Sequence, residues 1–549
     1  MEQISGKRIM DILAALVAYK SISNTKYEVP VEEHVYKFIS EIPYFKKHPE
    51  LFGKQIIEGD PSGRFIPYAL LKGNKSDTVL LSGHIDVVSA DGYGEAEPFA
   101  FTIGKELEDR LAKMDLDKQQ RTDMESGEWI WGRGAADMKG GIAIGMCLLE
   151  KYAELADRGE LEGSFLFVAV ADEESYSAGM RAMTPRLLTL KKQHDLKFRL
   201  LIDPEPAATV EGQQVISLGT VGKVMPCIVT QGVLAHTGHC YKGISALNML
   251  CGLYQRTNGN LHFVDTCGDE SVMPPAWLRL RDSHDHYDVS LPFRAYGYLS
   301  ITSFNTPVEQ FINDLKKIST EVFEEEVVKL NKEYREFKKR NKLEQGGDIN
   351  YPTKVMTVAE LKAELTARDG EKFTERFNSI YRDADKRIAD GESYPDATCF
   401  VMNELLNCAD IKTPVILIGI APPYYPATHS DQVDGAEGFG TKVFNFARQK
   451  SYDEFGQKLT AENYFTGISD NSYTSIQDTG IQKIKDNFPL WGSIYNLDFE
   501  AISGVSVPSI LYGPIGADYH QWTERVNKHS LLEVMPKMLQ YVTEFAWRE

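Results

Sequence analysis

Residues 81–92 read LSGHIDVVSADG. The apolar run Thr78–Val79–Leu80–Leu81 is interrupted by Gly83–His84–Ile85–Asp86 and resumes with Val87–Val88. Such a continuous run suits a strand covered on both faces. Side chains alternate along a strand, so His84 and Asp86 share a side. Two readings follow. The pair is either a buried ion pair, or a metal-binding histidine with the carboxylate that fixes its tautomer.

The flanking sequence extends the pattern. MKGGIAIGMCLLEKYAEL (138–155) has apolar residues at helical spacing, at Ile142, Met146, Leu149 and Tyr152. GSFLFVAVADEES (163–175) and KFRLLIDPEP (197–206) are two more buried strands. Strand, helix and strand in alternation imply a parallel or mixed sheet with helices on its faces. Ligands of such sheets bind beyond the carboxyl ends of the strands, and each of these strands ends in acidic residues or histidine.

The character changes after SLGTVGKV (217–224). Residues 307–345 read as one long, highly charged helix, and 346–393 as surface helices and loops. TPVILIGIAPPYYP (413–426) reads as a strand stopped by its prolines. FTGISDNSY (465–473) and VPSILYGPIGADYHQWTERV (507–526) return to the earlier style. The expected fold is therefore α/β: a central mixed, mainly parallel sheet sandwiched by helices, with an inserted α+β lid domain. The expected segments are a catalytic domain over 1–221 and 431–549, interrupted by the lid over 222–430.

At 549 residues the chain is too long for one compact core. Its net charge of -19 disfavours nucleic acid, whose binding needs a basic face. The N-terminal stretch, with Ile9, Ile12, Leu13 and Val17 in phase, reads as an amphipathic helix and not as a signal peptide. No window is apolar enough for a membrane span. Seven scattered cysteines without a C-x-x-C imply reduced thiols and a cytoplasmic location. Any metal site must then use His, Asp and Glu.

Such residues are present. WGRGAADMKGG (131–141) surrounds Asp137 with glycines before a helix, where a carboxylate could equally serve the helix N-terminus. VAVADEES (168–175) crowds Asp172, Glu173 and Glu174 at a strand end, where like charges need a cation or solvent. LLIDPEP offers Asp203 and Glu205, each before a proline, and GADYHQWTERV offers His520 with Glu524. Together these are ligands enough for two divalent cations sharing one carboxylate. Mixed N/O donors without sulfur suit zinc, with manganese or cobalt as alternatives. Paired metals activate a water and clamp a developing oxyanion.

SGHIDVV, GRGAADMKGG, DEES, AHTGHCYKGISALN and YHQWTERV, in this order and spacing, resemble the co-catalytic zinc amidohydrolases and exopeptidases. That family includes acetylornithine deacetylase, succinyl-diaminopimelate desuccinylase, carboxypeptidase G and carnosine-type dipeptidases. APPYYP, GISDNSY and GPIGADYHQWTERV look more narrowly like its arginine-utilisation protein branch. The resemblance implies roles. His84 would bind one metal, with Asp86 orienting it, and Asp137 would bridge both ions. Glu173 would be the general base, and Glu174 would bind the other metal with His520. Asp203 and Glu205 both fit the remaining ligand, with Glu205 favoured. His236 would come from the lid and stabilise the oxyanion, with His239 a nearby decoy. Asp470 matches a loop near the site, and Arg294 is a candidate for the substrate carboxylate. The lid is enlarged, mainly over 307–395, so a monomer or a homodimer is expected, with the histidine supplied in cis in the first case. The implied activity is hydrolysis of an amide or peptide bond in a small carboxylate-bearing compound, an N-acyl amino acid or dipeptide, by a metal-bound water. The alternatives are a relative that binds metal or substrate without catalysis, and a phosphoesterase, for which no basic phosphate clamp stands out.

Overall fold

The computed structural model describes residues 4–284, 286–343, 347–476 and 481–549. The chain divides into two units. The first comprises Met1–Val221, Pro426–Gln477 and Asp498–Glu549, and the second Gly222–Tyr425 and Asp478–Leu497. No helix is long and apolar enough to cross a membrane.

The first unit is built on a nine-stranded mixed sheet among the described residues. At its centre Ser164–Val170, Asp77–His84 and Lys197–Asp203 lie parallel, with Ser509–Leu511 parallel to the last of them. The flanks turn antiparallel, where Phe65–Leu71 pairs with Ser164–Val170 and Phe52–Ile56 with Phe65–Leu71. Thr78 to His84 and Ser164 to Val170 are buried throughout, as expected for strands covered on both faces. The helix Lys139–Asp157 buries Ile142, Met146, Leu149 and Tyr152, and the N-terminal helix Gly6–Val17 packs against it through Ile9, Leu13 and Val17. Because the central strands are parallel, His84, Asp203 and the loop after Val170 emerge at the same end of the sheet.

The second unit has a five-stranded sheet, ordered Ala276–Asp282, Arg294–Ser303, Gly222–Gln231, Val415–Tyr425, Val355–Thr357. Three expectations change here. Pro422 and Pro423 do not stop the strand: Val415–Tyr425 runs through them and ends just before Pro426. They are tolerated because the partner Val355–Thr357 covers only Ile416–Ile418, and the register with Gly222–Gln231 slips between Lys223 and Met225. The stretch 346–393 is more than surface: Leu361, Leu365, Phe373, Ile380 and Ala384 are core residues of this unit. Residues 478–497 also belong to it, where Tyr495 stacks on Phe488 and its hydroxyl accepts the Tyr424 N–H at 3.0 Å. The long helix is Val308–Arg340; the last two residues of the expected helix, 344 and 345, lie outside the described residues.

One glycine joins this architecture to the strand ends. A Cβ on Gly141, in the first turn of Lys139–Asp157, would lie 2.1 Å from the Pro204 carbonyl oxygen. Backbone cannot yield as a side chain tip would, so the helix and the Asp203–Glu205 segment depend on this close approach. Gly141→Ala is expected to lower stability by about 1–3 kcal/mol, the usual cost of forced overpacking. Chemical denaturation would check this, and an unchanged midpoint would refute the required approach.

Candidate metal centre

His84 ends its strand with the ring fully buried. Its Nδ1 faces the Asp86 carbonyl oxygen at 3.0 Å and the Asp86 carboxylate at 3.7 Å. This leaves Nε2 pointing at Asp137 Oδ1, 3.1 Å away, and Glu205 Oε1, 3.4 Å away. On the other side, His520 Nε2 lies 3.3 Å from Asp137 Oδ2 and 2.9 Å from Glu174 Oε2. Asp137 therefore presents one oxygen to each histidine, the disposition a bridging carboxylate requires. Ligand atoms of His84, Asp137 and Glu174, and of His84, Glu173 and Glu205, gather within 4.8 Å of one another.

The Asp86 carboxylate is aimed elsewhere. It accepts the backbone N–H groups of Glu173 and Glu174, both at 3.2 Å, and the Ser23 hydroxyl. It thus fixes the segment that carries both glutamates. Asp203, the rival of Glu205, accepts a hydrogen bond from Ser469 at 2.8 Å and belongs to neither ligand group. Asp470 is buried in the same unit and lines a small cavity with His84, Glu173, Asp203 and Glu205.

Burial is the dominant force on these acids. It raises Glu205 to about 8, helped by the charge of Asp137, and Asp203 to about 7. Burial likewise lifts Asp470 to about 8 and Glu173 well above the carboxylate range. Asp137 is the exception: desolvation is outweighed by hydrogen bonds to His520 and His84, which hold it low. Burial opposes charge on His84 too, but Glu205 and Asp137 outweigh it and raise the ring well above normal. Asp137 and Glu174 raise His520 to about 10. So many desolvated carboxylates around two imidazoles form a donor set that fits a pair of divalent cations. The N/O composition suits zinc.

The supporting residues were less legible. Glu524 accepts the backbone N–H groups of Ala136 and Asp137, both at 3.2 Å, and pairs with Arg133 at 2.5 Å. Arg133 also donates to the His520 carbonyl at 2.9 Å, so it ties the Asp137 and His520 loops together. Its only signal in the sequence is its place inside GRGAADMKGG. Arg64 had none. Buried, it pairs with Glu28 at 2.7 Å, Asp60 at 2.7 Å and Asp172 at 2.9 Å. Glu28 in turn accepts the Asp172 N–H at 2.8 Å, and Asp172 holds a positive φ of 64° at the start of the glutamate loop.

Two expected residues lie in the second unit. His236 is exposed, and its Nδ1 accepts the Gly238 N–H at 3.0 Å. His239 is exposed beside it. The expectation for Arg294 needs correction. Its guanidinium is buried and donates to Gln231 Oε1 at 3.2 and 2.9 Å and to the Asn403 carbonyl at 2.7 Å. It braces that unit, with three of its five N–H groups engaged in these bonds.

Known proteins share sequence and fold with this chain. Peptidase family M20/M25/M40 matches residues 80–548. The chain is 29% identical to the uncharacterized protein YqjN of Bacillus subtilis strain 168 over 537 residues, covering 97% of this chain and 95% of YqjN. It is 27% identical to Protein RocB of the same organism over 548 residues, covering 98% and 94%. A tripeptidase from Staphylococcus aureus shares the fold with a TM-score of 0.56 at 12% identity, covering 100% of both chains.

Removing Arg64 would strand three buried carboxylates. Arg64→Met is expected to cost about 3–5 kcal/mol, as for other broken buried ion pairs. Urea denaturation of the metal-free protein would measure this, and a loss below 1 kcal/mol would show that the cluster is not stabilising. Metal binding must also displace protons. His520 is raised to about 10, so at neutral pH the metal-free ring is charged and competes with a cation. Apparent zinc affinity is expected to rise with pH toward 10, about tenfold per unit for each proton displaced. Titration against a competing chelator would test this; a flat profile would contradict it.

Proposed function

Because the chain belongs to peptidase family M20/M25/M40 and is a metallo-amidohydrolase, we propose that it cleaves the amide or peptide bond of a small carboxylate-bearing compound, an N-acyl amino acid or a dipeptide. The observation that carries this reading is Asp137, with one oxygen toward His84 and the other toward His520. Two divalent cations, zinc by donor type, would supply Lewis acidity there, lowering the pKa of water and drawing charge off the scissile carbonyl. His84 and Glu205 would hold one, His520 and Glu174 the other, and Asp137 both. Asp203 is left outside this set because Glu205 is the carboxylate that lies 3.4 Å from His84, while Ser469 donates to Asp203 Oδ2.

The chain's own groups do the remaining work. Asp86 keeps the Glu173–Glu174 backbone in place through two N–H bonds. Glu173, gathered beside His84 and Glu205, takes the proton of the attacking water and delivers it to the leaving amine. Burial lifts its carboxyl well above the usual range, which suits a group that holds a proton between two transfers. His236 donates to the oxygen that becomes negative in the tetrahedral intermediate. Asp470 helps shape the wall behind Glu173. The full-length likeness to RocB fits the arginine-utilisation branch that the motifs resemble. A cytoplasmic location fits the seven cysteines, all free.

The test is a panel of N-acyl amino acids and dipeptides, assayed with protein carrying two zinc ions per chain. Hydrolysis of at least one member is expected, and none cleaved would overturn the proposal. Glu173→Gln is expected to keep both metals and lose about 100-fold to 10,000-fold in rate, the range for a general base. Metal loss in that variant would instead make Glu173 a ligand. His236→Ala is expected to lower kcat about 100-fold with metal content unchanged, as for an oxyanion donor.

A further inference from the structure

The long helix Val308–Arg340 is larger than its own unit's core requires. Val308, Phe311, Ile312, Leu315, Val322 and Phe323 are buried. Beyond Phe323 no apolar residue is buried; only Asn331 and Lys338 are. Val328 is 65% exposed and Phe337 42%. This far half, Glu324 to Arg340, reaches about 25 Å at the usual rise per residue. A helix that projects without burying an apolar stripe is stabilised little by packing, so what it touches is informative.

It touches the loop that carries His236. That loop, 236–242, contains no buried residue. Its base is closed by the pair Val233–Ile244 and by bonds to the segment 289–291: Thr237 N–H to the Val289 carbonyl and Leu291 N–H to the Ala235 carbonyl, both 2.8 Å. Its other end is held by one side chain. Tyr241 stacks on Tyr334 with ring centroids 4.8 Å apart and 23° between planes, and lies 5.3 Å from Phe337. Tyr334 and Phe337 are three apart and so share a helix face. The Lys338 ammonium sits 4.3 Å from the Tyr334 ring centre. The helix is itself anchored there, since Asn331 exchanges two 2.7 Å hydrogen bonds with the Ile349 backbone.

We propose that the far half of this helix is a brace for the His236 loop, with Tyr334 and Phe337 as positioning residues that act through Tyr241. The proposal rests on the reading of His236 as the oxyanion donor. Such a donor must be held to within a fraction of an ångström. Backbone pairing holds the base of the loop, at His236–Ser290 and Val233–Ile244, and the Tyr241 stack adds a side-chain hold on its far flank. The brace comes from the same chain.

The test uses the zinc-loaded, full-length Tyr334→Ala/Phe337→Ala variant. Both substitutions lie outside the hydrophobic core. Hydrogen exchange of the peptide spanning 234–243 is expected to speed up about tenfold or more, as for a segment freed to open locally. With the panel compound cleaved fastest by the parent, kcat is expected to fall about 10-fold to 100-fold at nearly constant KM, two metals retained, because a displaced donor mainly loses transition-state contact. Tyr334→Phe, which keeps the ring, is expected to match the parent. In a His236→Ala background the double variant should cost nothing further. Unchanged exchange would overturn the brace, and a full additional loss without His236 would overturn the positioning role. A neutral His236→Ala would sink the oxyanion reading instead, and the exchange result would still decide whether the helix holds the loop.

Discussion

Carboxylates packed at the carboxyl end of a parallel sheet are the constraint on which the rest of this structure depends. Asp86, Asp137, Glu173, Glu174, Asp203, Glu205 and Asp470 are withdrawn from water around His84. Left alone they would protonate or repel one another, because desolvation penalises each charge. The fold answers in three ways. Backbone N–H groups and hydroxyls meet Asp86 and Asp203. Arginines meet the outer acids, Arg133 at Glu524 and Arg64 at Glu28, Asp60 and Asp172. The inner acids and two imidazoles form a donor set for cations. What would otherwise be a destabilising cluster becomes a site.

The two arginines show how support and chemistry divide. Arg133 fixes the relation between the Asp137 turn and the His520 loop, and Arg64 fixes the start of the glutamate loop. Ligand geometry at metal sites is set by such outer contacts as much as by the ligands. Asp86 belongs with them: its carbonyl meets the His84 ring, while its carboxylate holds the glutamates.

Much of this was legible before any coordinates. His84, Asp137, Glu173, Glu174 and His520 each stand in a short motif with an unusual density of glycine or acid, and periodicity gave the strands those motifs terminate. The parts that were illegible share a cause. Arg64 sits at the start of an ordinary apolar strand, and only its three partners, up to 108 residues away, mark it out. Arg294 looked like an arginine available to a ligand, yet Gln231 and Asn403 occupy it. The prolines at 422 and 423 read as a strand stop because local sequence does not reveal which strand edges lack a partner. Residues 346–393 looked like surface because their apolar positions are sparse, but Phe373, Ile380 and Leu361 all turn to one core.

The sequence by itself determined the class of sheet, the order of its elements and the identity of the acids and histidines gathered around His84. Those follow from short-range periods and from residue chemistry, which are written in adjacent positions. Only the tertiary structure brought Glu205 to 3.4 Å from His84 and Ser469 to Asp203, showed Asp137 facing two histidines, and revealed the Tyr241–Tyr334 stack. Each of these is a distance between segments far apart in the chain. Such distances are set by how strand ends and helix faces meet in space, and no local pattern of residues encodes them.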